Sequence, residues 1–238
     1  MTAEMPPESL AAIMEATWPP AVTHTAGPWR IRDGQQGGQR VSATTAEAAW
    51  RPADIALAEA EMAALHQSPL FLIRETDSAL DAELARQGYH VHDPVVAYAI
   101  PSAALAPPDP MAAFAHWPPL AIATEIWADG GIGPARLAVM QRATGPKTAI
   151  LSRQNDRPTG TAFVAIHQNT AMLHALEVAP QHRRQGSANI ILRAAAAWAQ
   201  DQGATTLSLV VTKANAPACA LYASLGMEVV GNYHYRVK

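Results

Sequence analysis

The order of patterned segments predicts a mixed α/β (α+β) fold, a central sheet flanked by helices. Period-two alternation marks strands such as Thr206–Val211, where Leu207, Leu209 and Val211 share one face. A helical apolar stripe marks Ser187–Gln200, through Ile190, Ile191, Ala194, Ala195 and Trp198. Turn dipeptides and glycine stops separate such segments, and their alternation suits one mixed sheet with helices layered on it.

Taken in order, Trp29-Arg30-Ile31-Arg32 and Arg40 alternate as strand residues and are read as structural or lobe-contact positions. A helix is expected over Asp54–His66, a strand at Leu70-Phe71-Leu72-Ile73, a helix over Ala79–Gln87 ended by Gly88-Tyr89, and a strand over Val95–Ile100. The proline-rich run Pro101–Pro119 is the best linker, because proline blocks helix interiors and central strands. Helices follow at Leu120–Asp129, before Gly130-Gly131, and at Pro134–Arg142. Three strands come next, Lys147–Arg153, Thr161–His167 and Ala171–Val178, divided at Asn155-Asp156 and Gln168-Asn169, which suit tight turns. After Ser187–Gln200, Gly203 stands where a left-handed cap belongs. Asn215 caps a short helix with Pro217 in its first turn and Gly226 beyond its end, and two strand segments close the chain at Val229–Val230 and Tyr233–Val237.

The first half echoes the second. Leu70–Ile73 and Leu207–Val210 each precede a helix that a glycine ends, at Gly88 and Gly226, and each is followed by a strand-like tail. This pattern suggests a duplicated domain, with a first copy at 1–109 and a second at 110–238. A length of 238 residues accommodates one large core or two small ones.

An apolar fraction of 49% with 16% charged residues is that of a globular chain. Net charge is −3, so no chain-wide field favours nucleic acid or an anionic membrane as a partner, and any phosphate site must be local. The start, Met1 to Pro7, lacks the basic and apolar regions of a secretory signal, and the longest uncharged stretches are too short and too proline-cut to span a bilayer. Cys219 is the only cysteine, which rules out an internal disulfide and fits a reducing cytoplasm. The histidines show no metal-ligand spacing, so no metal is expected, and His90, His92 and His116 are read as surface or packing residues.

The chemistry is concentrated in Leu173–Ala188. Pro180 stops a strand, and Arg183-Arg184-Gln185-Gly186 then leads directly into a helix that opens with the small Ser187 and Ala188. A helix N-terminus presents unpaired N–H groups and roughly half a positive charge, and glycine admits a ligand close to the backbone. This is an anion cradle suited to a pyrophosphate. Asn215 and Tyr222, two helical turns apart, lie near one edge of a later helix. The segment Asp129–Gly133 superficially suits a dinucleotide loop, but it follows a helix instead of a strand and fails on context.

These residues resemble the GCN5-related N-acetyltransferase (GNAT) superfamily. Arg183-Arg184-Gln185-Gly186-Ser187-Ala188 satisfies its pyrophosphate-loop pattern; Asn215, Ala218, Leu221-Tyr222 and Gly226 meet its later pattern, with Met227 replacing an aromatic residue. The whole chain is similar to tandem members with a degenerate N-terminal copy: Leu84 aligns with Tyr222, and no such loop precedes Asp54–His66.

The resemblance implies transfer of an acetyl group from acetyl-coenzyme A to a primary amine by direct attack. Leu176, Glu177 and Val178 would pair with the pantetheine arm, the loop Arg183–Ala188 and Asn215 would hold the coenzyme, and Tyr222 would protonate the departing thiolate. His174, Glu177 or water would take the amine's proton. His174 has the better intrinsic pKa, and the run Leu173–Val178 is similar to arylalkylamine N-acetyltransferases, but a hydrogen-bonded structural histidine is the competing reading. Strict pleating puts His174, Leu176 and Val178 on one face and Glu177 on the other, unless a bulge intervenes. The acceptor is a small-molecule or protein amine near the junction of the two halves, and the sequence leaves monomer or homodimer open. The alternative is a non-catalytic acyl-coenzyme A sensor.

Overall fold

The computed structural model describes residues 7–238; most of the segment inspected for a secretory signal, residues 1–6, lies outside the described residues. The N-terminal half runs α1 (Pro7–Thr17), β1 (Val22–Ala26), β2 (Trp29–Asp33), β3 (Thr45–Ala46), α2 (Ile55–Ala64), β4 (Leu70–Arg74), α3 (Ser78–Arg86) and β5 (His90–Pro101). The C-terminal half runs β6 (Ala113–His116), α4 (Ala121–Asp129), α5 (Pro134–Arg142), β7 (Lys147–Gln154), β8 (Arg157–His167), β9 (Thr170–Val178), α6 (Ser187–Asp201), β10 (Thr206–Thr212), α7 (Ala216–Ser224) and β11 (Glu228–Val237). No described helix is long and apolar enough to cross a membrane.

Eight strands form one mixed sheet in the order β4-β11-β5-β10-β9-β8-β7-β6. The strands β1-β2-β3 form a second ribbon, which a parallel bridge between Thr44 and Phe71 ties to β4. The two halves are interleaved. Strand β5, from the first half, pairs with β10 and β11 of the second, and β11 returns to pair with β4 of the first. Outward from the β5–β11 pair the strands run β4, β3, β2, β1 on one side and β10, β9, β8, β7 on the other. Both arms have their parallel junction at the same place, β3 beside β4 and β9 beside β10. Helix ends match as well: Tyr89 N–H bonds to Leu84 C=O at 3.0 Å, and Met227 N–H to Tyr222 C=O at 3.1 Å.

The core follows from this layering. Strand β8 is buried from Thr159 to Ile166, as expected of a run apolar on both faces. Helices α6 and α7 cover one face of the C-terminal sheet, and α4, α5 and the end of α1 cover the other. Helices α2 and α3 close the N-terminal sheet through Ile55, Met62, Leu80 and Leu84. The buried stripe of α6 is Ile191, Leu192, Ala195, Ala196 and Ala199, rotated from the expected Ile190–Trp198 stripe because Ile190, Ala194 and Trp198 lie at its half-buried edge.

The sequence misjudged three features of regular structure. The presumed linker contains β6, whose residues Ala113–His116 pair with Ala149–Ser152 at the sheet edge. The last two strand segments are one strand, with register shifts at Val230 and His234. Arg40 lies on a short helical turn, Gln39–Val41, and not on a strand.

Candidate active site

Strands β9 and β10 pair in parallel only as far as Leu173 and Leu209, then part. From His174 onward, the β9 edge facing β10 has no strand partner. The opening is a cleft of about 470 Å³, whose walls include Leu173–Leu176, Leu209–Thr212, Asn215 and Tyr222.

A bulge shapes the β9 wall. The β8–β9 register slips between Thr161–Glu177 and Phe163–His174, and Ala175 takes φ +50°. A left-handed alanine costs about 1–2 kcal/mol. Trp127, fully buried on α4, donates Nε1–H to the Ala175 carbonyl at 2.7 Å and helps hold the kink. The expected strict alternation therefore fails. Leu173 and Leu176 both pack toward α6, while Glu177 turns to the α4–α5 side, where a Cβ on Gly130 would stand 2.6 Å from its carboxylate carbon. The extra residue of the bulge shifts the pleat by one.

The loop before α6 has the expected form. Gly186 is the N-cap residue at φ +90°, Ser187 is buried, and no side chain caps the helix. Its first N–H groups are therefore left without a side-chain acceptor. A Cβ at Gly186 would meet only Gln154 Nε2, at 4.0 Å, so the approach to the backbone is open. Gln154, at the end of β7, buttresses the turn: its Nε2 donates to Gln185 C=O at 2.9 Å and its Oε1 accepts from Ser187 Oγ at 3.3 Å. Arg184 is exposed at φ +62°, and Ala188 is half-buried. Arg183 is committed elsewhere, to Glu177 at 3.0 Å and to Val178 C=O at 3.1 Å. The site thus fits a diphosphate through its main chain. It brings Leu176, Asn215 and Tyr222 to the cleft and leaves the Glu177–Arg183 pair outside its lining.

Asn215 accepts from Ala218 N–H at 3.2 Å, so it caps α7 as well as lining the cleft. Tyr222, in the last turn of α7, is buried with its ring 5.6 Å from that of Tyr98. Burial first, then the neighbouring Cys219 and Tyr98, push its pKa up to about 12, so it remains a proton donor at neutral pH.

His174 is buried in the cleft wall, with Trp18 at 5.0 Å between ring centroids. Thr17 Oγ1 gives its proton to Ile13 C=O at 2.6 Å, so His174 Nε2 is the donor to Thr17 at 2.9 Å. Nδ1 is left to accept from Arg40 Nη1 at 3.0 Å. Burial, and secondarily the Arg40 charge, hold its pKa well below 6.5. Both ring nitrogens are occupied and the imidazole is neutral.

Several contributors were not recognised from the sequence: Gln154, Trp127, Trp18, Arg40, Arg136, Tyr233 and Tyr235. The last five line the same cleft. Arg40 arrives because the turn Gly34–Arg40 lies against α5, where a Cβ on Gly37 would be 2.5 Å from Val139 Cγ2. No local pattern signals a contact between residues this far apart in the chain.

A model of the acetyltransferase (GNAT) family matches residues 115–227. An uncharacterized N-acetyltransferase, YobR, of Bacillus subtilis is 28% identical over 100 residues, 42% of this chain and 40% of that protein. Streptothricin acetyltransferase of Streptomyces lavendulae is 43% identical over 56 residues, 24% of this chain and 30% of that protein. The aligned segments thus span less than half the length of these curated relatives. In fold, the chain is similar to a GCN5-related N-acetyltransferase from Kribbella flavida, with TM-score 0.72 at 19% identity over 100% of this chain and 96% of that one. It is also similar to a tandem GNAT protein from the clavulanic acid biosynthesis pathway, with TM-score 0.62 at 14% identity over 82% of this chain and 74% of that one. The segment 115–227, which matches the acetyltransferase (GNAT) family, is the part of the chain that carries the cleft between β9 and β10 and the loop before α6.

Proposed function

We propose that the chain transfers an acetyl group from acetyl-coenzyme A to an amine by direct attack, in a single site in its C-terminal half. The observation that supports this reading is the combination of three features: an uncapped helix N-terminus at Gly186, shortly after β9 in the chain, the parting of β9 from β10, and Tyr222 on the wall of the cleft that this opens. The amides of Gly186, Ser187 and Ala188 would hold the diphosphate, while Leu176 and Val178, on the unpaired edge of β9, would offer main-chain groups to the pantetheine arm. The thioester supplies an activated acyl carbon. The amine nitrogen forms the new C–N bond, the C–S bond breaks, Tyr222 gives its phenolic proton to the sulfur, and the proton that the acylated nitrogen releases restores Tyr222. An N–H of the bulged backbone near Leu176 would face the negative charge that grows on the carbonyl oxygen. His174, with its lone pair against Arg40, is read as a positioning residue, and the ammonium proton leaves to solvent in the open cleft.

The N-terminal half is read as a degenerate copy that binds no coenzyme. Where the loop precedes α6 in one arm, a turn at Pro52–Asp54 precedes α2 in the other. There Asp54 accepts from Arg51 N–H at 2.8 Å and pairs with the Arg51 side chain, so a carboxylate already stands at that helix start.

Release of free thiol from acetyl-coenzyme A, followed across a panel of amines, tests the function. Amine-dependent release is the expected result. Coenzyme binding without release for any amine would favour a sensor instead.

A further inference from the structure

Two arginines in the cleft lack a counter-charge. Arg40 enters from the N-terminal half and meets His174 Nδ1 with Nη1, while its Nε is buried without any hydrogen-bond partner. Its other neighbours are the hydroxyls of the buried Tyr233 and Tyr235, and burial holds the Tyr235 pKa well above its usual value. Arg136, on the exposed side of α5, reaches toward Gly38, where a Cβ would lie 3.6 Å from its Nε. Among the described residues, no ion pair includes either arginine. The single acidic residue on the cleft wall, Asp93, contacts His92 at 3.3 Å and forms no ion pair with either arginine.

A guanidinium withdrawn from water is costly unless an anion accompanies it. The other arginines that run beneath the first sheet follow that rule, since Arg30 and Arg32 share Glu15. Arg40 has a histidine and two phenols instead, in a site open to a ligand. Its planar fork matches a carboxylate, and the coenzyme's diphosphate would occupy the loop at Gly186, beyond the end of β9. We propose that Arg40, with Arg136 at the mouth, forms a carboxylate-binding subsite, and that the acceptor is therefore an amine that also carries a carboxylate group. This rests on the acyl-transfer reading above and narrows its substrate class. His174 and Thr17 then serve to fix the fork: Thr17 orients the imidazole, and the imidazole holds Nη1 of Arg40, while Nε–H is left without a partner.

The test pairs each of a set of amino acids with its carboxamide and its decarboxylated amine. Thiol release is measured with the full chain and with Arg40→Gln, Arg40→Lys and Arg136→Gln. The acids should be preferred in kcat/KM by ~10–100-fold, the size expected of one charge-assisted pair. Arg40→Gln should erase that preference through KM for the acids alone, Arg40→Lys should restore part of it, and Arg136→Gln should have the smaller effect. Equal use of acids and amides by the unaltered protein would overturn the subsite and leave acyl transfer standing. Equal loss of both in Arg40→Gln, with lowered thermal stability, would also overturn it by making Arg40 a structural bridge. Absence of release from every amine despite coenzyme binding would remove the acyl-transfer reading, and this inference with it.

Discussion

Tyr222 and His174 were both recognised from sequence as chemistry-bearing residues, and their surroundings separate them. Tyr222 faces the cleft with a pKa pushed up to about 12, which suits a donor that must not ionise before the sulfur departs. Tyr222→Phe is expected to lower turnover by about 10²–10⁴-fold with coenzyme affinity little changed, as read by single-turnover kinetics beside equilibrium binding. His174 has no free lone pair. Glutamine supplies one acceptor and one donor, so His174→Gln should keep both partners and leave the acidic limb of the pH–rate profile in place. A shifted limb would restore the base role. His174 also makes a stability prediction. Its folded pKa lies well below 6.5, so as pH falls below 6.5 the unfolded chain takes up a proton that the folded chain refuses, and stability is lost. The loss attributable to this group is at most about 1.4 kcal/mol per pH unit. Urea unfolding at pH 7 and pH 5 should show a smaller difference for His174→Gln than for the unaltered chain. The residue types were legible in the sequence. Their roles were not, because Thr17 and Arg40 come from distant parts of the chain.

At the scale of elements, local signals were read well. Asn155 and Asp156 both take positive φ in the β7–β8 turn, at 49° and 62°, as the dipeptide suggested. Asn215 caps α7, and Gly186 opens α6. The bulge at Ala175 was not legible, since alanine carries no preference for left-handed backbone and Trp127, which holds the carbonyl, lies on another helix. The loop carries its own prediction. At φ +90° a β-branched residue is strained by about 1–3 kcal/mol, and its side chain would stand over the helix N-terminus. Gly186→Val should weaken coenzyme A binding by ~10-fold or more in calorimetric titration, while the melting temperature falls only by the roughly 2–12 °C that this strain accounts for. Unchanged affinity would show that the amides of this turn are not the grip.

For the whole molecule, the interleaving of β5 and β11 makes the two halves one folding problem. In the isolated segment 110–238, β5 is missing from between β10 and β11, so the edges that β5 occupies along Thr206–Thr212 and Glu228–Val237 would be bare. That segment should aggregate or unfold without a cooperative transition, and co-expression with residues 1–109 should rescue it. The full chain should unfold in one transition by circular dichroism. A soluble, cooperative C-terminal segment that binds coenzyme would show that the exchanged strands are dispensable. The sequence by itself determined most of the order of elements and marked the turn before α6 and Tyr222 as candidates, because each signal depends on neighbours within a few residues: an alternation, a cap, a glycine before a helix. Only the tertiary structure decided that β5 completes the other half's sheet, that the pleat breaks at Ala175, and that Arg40 stands in the cleft. Each of those depends on contacts between segments far apart in the chain, and pairing across such distances is set by packing of whole faces, which no local pattern encodes.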